Sequence, residues 1–144
     1  MRRYRARLLA KGIRQVSVAK VDPLLGAARF SRASLLSPAE RDVIRRIAIR
    51  LRGLPELPEM LAIFGSRSKG GSVAGSDIDL AVFVRNPSVA LQNRILAIAH
   101  RAQAPYEGEG CAIVVRPVLL KAGQSGAFLE SIKDDLEVVW TKPR

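Results

Sequence analysis

The chain has 144 residues, of which 48% are hydrophobic and 26% charged, enough to bury a core and too apolar for a disordered tail. No apolar run reaches the roughly 18 residues of a membrane-spanning helix, and Cys111 is the only cysteine, which excludes an internal disulfide framework and any cysteine-based zinc cage. The formal net charge is +11, and all of it lies before residue 54: 14 bases stand there against Asp22, Glu40 and Asp42, while the rest of the chain is neutral.

The basic start, Met1 to Arg5, is followed by neither a long apolar stretch nor a small-residue cleavage site, so no secretory signal is expected. With the lone cysteine this points to the cytoplasm. Residues 1–36 read as a basic N-terminal leader. Within it, Arg2 to Lys11 suits a short helix, and Gln15 to Ala19 alternates polar and apolar residues as a half-buried strand would. The surplus of arginine suits something acidic, whether nucleic acid, an acidic partner or a membrane surface; a solvated helix face is the plainer reading of the same run. Loosely, the leader also resembles the basic N-termini of small antitoxin-like DNA-binding proteins.

Residues 37–144 read as the folded domain. Ser37-Pro38-Ala39-Glu40 is a capping box with proline at the first helical position. After it, Val43, Ile44, Ile47, Ala48 and Leu51 recur at helical spacing, while Arg41, Arg45 and Arg52 fall on another side. Met60 to Phe64 reads as a buried strand running into a glycine- and serine-rich turn from Gly65 to Ser76, and Ile78 to Val84 as a second strand. Ser88 to Arg101 suits a helix packed through Val89, Leu91, Ile95, Leu96 and Ile98. Cys111 to Leu120 suits a third strand, with Pro117 marking it as an edge or a bulge. A short helix containing Phe128, Leu129 and Ile132 and a last strand from Leu136 to Trp140 complete an α/β (α+β) chain with a mixed central sheet. His100, Lys121 and Trp140 read as structural or solvated residues.

The chemistry concentrates between Phe64 and Leu80. A strand ends in Gly65-Ser66, where the missing side chain lets backbone N–H groups approach an anion. Arg67 and Lys69 add positive charge beside that turn. Asp77 and Asp79 are two apart on a strand, so both carboxylates share a face, roughly 6–7 Å apart along the chain. Two neighbouring carboxylates call for a cation, and an all-oxygen shell completed by phosphates is what Mg2+ takes. An anion turn beside such a pair suits a nucleoside triphosphate and its metal.

This stretch resembles the signature of the DNA polymerase β-like nucleotidyltransferase superfamily in its minimal, antitoxin-like branch: glycine-serine, ten residues, then aspartate, any residue, aspartate. The resemblance implies a nucleotidyltransferase fold, with Gly65, Ser66, Arg67 and Lys69 on the nucleotide and Asp77 and Asp79 as catalytic metal ligands. It implies Mg2+-dependent transfer of a nucleoside monophosphate, AMP from ATP, to a protein or small-molecule hydroxyl. Members of the branch often act as antitoxins that modify a HEPN-type toxin partner. The family's third carboxylate, expected on the next strand near Val114, has no counterpart there; Glu107 and Glu109 precede that strand. The alternative is therefore a catalytically degenerate domain that binds nucleic acid or a protein partner through its arginine-rich N-terminus.

Overall fold

The computed structural model describes residues 28–32, 34–69, 77–107 and 113–143. The leader's helix and strand, residues 70–76 of the glycine-rich turn, Glu109 and Cys111 lie outside the described residues. Ser37 caps helix α1 (Pro38–Leu51) as the sequence predicts: its hydroxyl accepts from the Glu40 N–H, and the Glu40 carboxylate accepts from the Ser37 N–H at 2.8 Å. Strand β1 (Met60–Phe64) follows, then one short turn of helix, α2 (Ser66–Lys69), and strand β2 (Ile78–Val84). Helix α3 (Val89–Gln103) crosses to strand β3 (Val115–Lys121). Helix α4 (Ala127–Ile132) and strand β4 (Glu137–Thr141) close the described chain.

The sheet order is β3-β2-β1-β4. β1 pairs antiparallel with both β2 and β4, whereas β2 and β3 run parallel, joined by the α3 crossover. Pro117 sits in β3, an edge strand of this sheet, where a missing N–H costs no interior ladder bond.

Alternation along the strands sorts the sheet into two faces. Leu61, Ile63, Ile78, Leu80 and Val82 point to one side and pack with Val43, Ile44 and Ile47 of α1 and Ile95 and Ala99 of α3. Ala62, Phe64, Ala81 and Phe83 point to the other and meet Ile132. Phe128 of α4 contacts Phe64 edge-on at 5.7 Å between centroids. The α3 core face differs from the expected one: Val89 is 78% and Leu96 44% exposed, while Ile95, Ala99 and Ala102 are buried. These three are spaced four and three apart and form one narrow stripe.

Part of the segment read as leader is packed. Ala28 and Leu36 are buried in the core, the Arg29 N–H donates to the Val139 carbonyl at 2.7 Å, and the Ser31 N–H donates to Glu137. The packed unit thus includes residues before 37. No helix among the described residues is long and apolar enough to cross a membrane.

Candidate functional site

Where β1 ends, the chain turns at Gly65 with φ +75°, in the left-handed region that favours glycine. A Cβ there would lie 2.7 Å from the Asp79 Oδ2. The fold therefore presses the turn's backbone against the second aspartate, and only glycine permits it. Ser68 tightens the turn, its N–H and hydroxyl both donating to the Gly65 carbonyl, at 3.1 and 3.0 Å. Ser66 and Lys69 open and close α2.

Arg67, read above as meeting the nucleotide, turns its side chain to Glu40. It is 4% exposed, and its Nη2 donates to Glu40 Oε1 at 2.5 Å. The same carboxylate closes the α1 capping box, so Glu40 ties the start of α1 to the turn after β1. Burial pushes the Glu40 carboxyl up, but hydrogen bonds from Arg67 and from the Ser37 backbone outweigh it and hold it below the usual glutamate range. Arg67 thus positions the turn from beneath.

Asp79 faces away from the α1–α3 core, on the side of Ala81 and Phe83, and Asp77 precedes it at the strand's start. Burial raises the Asp79 carboxyl; the charge of Arg116 pulls it down and that of Asp77 pushes it up, leaving it raised.

The third position of the site is the structure's main departure from expectation. The parallel register pairs Asp79 with Arg116, two residues beyond Val114 and on the same face. Arg116 Nη1 lies 3.5 Å from Asp77 Oδ2, and its Nε 3.5 Å from Asp79 Oδ1. The resemblance puts the third carboxylate near Val114; two residues on, at the position paired with Asp79, this chain has a guanidinium bridging the two aspartates. Among the described residues no cluster of three histidine, cysteine or acidic side chains could hold a metal. Two carboxylates with substrate phosphates still suffice as the protein's share of one Mg2+ shell. They do not suffice for two ions shared with a third acid.

A second feature lies apart from the acid pair. Arg50, Gly53 and Leu54 at the end of α1 and Arg94, Ala97, Ile98 and Arg101 of α3 line an open groove of about 520 Å3. By contrast, Arg46 pairs with Asp42 at 2.8 Å, and Arg41 and Arg45 lie over the Phe30 ring at 5.8 and 5.1 Å.

No curated protein matches this chain. Among solved structures, the chain is similar to a proposed nucleotidyltransferase from Sulfolobus solfataricus, at 20% identity over 74% of this chain and 89% of that one, with a TM-score of 0.39. The family model described as "Nucleotidyltransferase domain" matches residues 44–136, a span holding Gly65, Asp77, Asp79 and Arg116. With well over half its length matched, the chain belongs to the nucleotidyltransferase domain family.

Proposed function

We propose that this chain binds a nucleoside triphosphate at the Gly65 turn and the Asp77–Asp79 pair and transfers its nucleoside monophosphate to an acceptor hydroxyl. The observation that supports it is the close approach of Gly65 to Asp79, where a Cβ would lie 2.7 Å from the carboxylate, so that the glycine turn and the acid pair are neighbours. In this reading the acceptor oxygen attacks the α-phosphorus, the α–β anhydride bond breaks, pyrophosphate departs, and the acceptor's proton passes to solvent. The backbone at Gly65 and Ser66 meets the phosphates, and Arg67 and Glu40 hold that backbone in place. Asp77 and Asp79 would hold a Mg2+ ion, which when bound lowers the acceptor's pKa and offsets charge at the phosphorus. ATP as donor and a protein acceptor, such as the toxin of a toxin–antitoxin pair, follow from the family resemblance alone.

Thermal unfolding with ATP, GTP, CTP and UTP, each with and without Mg2+, tests this reading. Binding to the native state stabilises by about 2.7 kcal/mol at 100 times Kd. A shift with at least one nucleotide, lost in Asp77→Asn/Asp79→Asn, is expected. No shift with any nucleotide overturns the reading.

The groove of Arg50, Arg94 and Arg101 favours a second reading, in which this basic surface and the arginine-rich N-terminal segment hold a nucleic-acid backbone.

A further inference from the structure

We propose that Arg116 is a resident counter-cation of the aspartate pair and competes with divalent metal for it. The inference rests on the reading of Asp77 and Asp79 as metal ligands and adds what governs their loading.

The geometry carries the argument. One planar guanidinium addresses Asp77 Oδ2 through Nη1 and Asp79 Oδ1 through Nε, both at 3.5 Å. A Mg2+ ion approaches its oxygens to about 2.0–2.1 Å and demands a regular shell, so it cannot coordinate these two oxygens while the guanidinium lies across them. Metal entry at these two oxygens therefore requires Arg116 to swing away. The swing is cheap: the side chain is 65% exposed and its contacts are long. A third carboxylate on this strand would add an oxygen ligand and a negative charge; Arg116 supplies the opposite charge at the position paired with Asp79. The pair is thus partly neutralised when empty, and free divalent ion binds it weakly.

Titration of the full chain with Mn2+ alone, followed by water-proton relaxation with no nucleotide present, tests this. Arg116→Gln removes the charge and is expected to tighten Mn2+ by about tenfold, and Arg116→Asp by more. Adding Asp77→Asn/Asp79→Asn to Arg116→Gln should abolish the gain, which assigns it to this pair. Since Arg116 is on the surface, Arg116→Gln should keep the wild-type unfolding temperature in EDTA, showing that folding is not the variable. Equal or weaker Mn2+ binding by a folded Arg116→Gln overturns the proposal. The titration contains no nucleotide, so its outcome is separate from that of the triphosphate-binding test: tightened Mn2+ without any nucleotide shift would uphold Arg116 as counter-cation and remove the transferase reading.

Discussion

Gly65 and Asp79 place the strictest demand on sequence at the site. Gly65 has φ +75° and no room for a Cβ against the Asp79 carboxylate; Gly123 has φ +78° with nothing within 4 Å of that position. The two glycines separate backbone cost from contact cost. Gly123→Ala should lose about 1–2 kcal/mol, the usual cost of a left-handed alanine. Gly65→Ala should lose at least about 1 kcal/mol more, because the methyl must displace Asp79 as well. Urea unfolding of the two variants measures the difference, and equal losses would mean that Asp79 moves aside freely. Asp79 itself is held at some cost in the absence of ligand. Its raised carboxyl means that the native state binds its proton more tightly than the unfolded chain does. Stability from this group is therefore full below the unfolded value and falls as pH rises through the folded one. Asp79→Asn should accordingly stabilise the ligand-free protein at neutral pH, by about 0.5–1 kcal/mol, while destroying nucleotide binding. A lower unfolding midpoint in that variant would contradict the assignment.

At the scale of elements, the buried Glu40–Arg67 pair couples the first turn of α1 to the loop that follows β1. Breaking one partner of a buried pair costs about 3–5 kcal/mol, chiefly because the other charge is stranded. Glu40→Gln and Arg67→Met should each show such a loss, and the double variant should cost less than their sum. Ser37→Ala, which removes only the hydroxyl cap, should cost about 1 kcal/mol. The pair also predicts a pH response. Glu40 titrates below its ordinary value of 4.5, so its contribution is present above that value and is lost as pH falls through the lower folded one. The wild-type minus Glu40→Gln difference in unfolding free energy should shrink over that acid window, and a pH-independent difference would show that the charge is not what matters. The sequence carried the elements well, since a capping box, strict alternation and an edge proline are local signals. It did not carry Glu40–Arg67, because nothing local tells a buried arginine from a phosphate-binding one in a glycine-serine turn. Nor did it carry Arg116: the 30 positions between the paired strands leave the parallel register open, and an offset of two residues keeps the same face while exchanging Val114 for Arg116.

Across the whole molecule, arginines that look alike in the sequence sort into distinct tasks. Arg67 holds the turn, Arg116 covers the aspartates, Arg41 and Arg45 lie over Phe30, and Arg46 pairs with Asp42. Arg50, Arg94 and Arg101 remain around the α1–α3 groove, exposed and with no ion pair among the described residues. A net charge of +11 would draw any polyanion to the chain, so binding alone says little about where it docks. The salt dependence says more, because each phosphate neutralised on duplex DNA contributes about −0.9 to the slope of log K against log[salt]. If the groove grips the backbone through its three arginines, Arg50→Glu/Arg94→Glu/Arg101→Glu should flatten that slope by about 2.7 and weaken binding at every sequence alike. Asp77→Asn/Asp79→Asn should leave the slope unchanged, since it alters the opposite face of the sheet. Fluorescence anisotropy on a short labelled duplex between 50 and 200 mM salt gives all three slopes. A triple variant with the wild-type slope would take the groove out of the interface and leave the N-terminal segment to carry the nucleic-acid reading. A flattened slope would place a polynucleotide across the helices, on the face of the sheet opposite the acid pair.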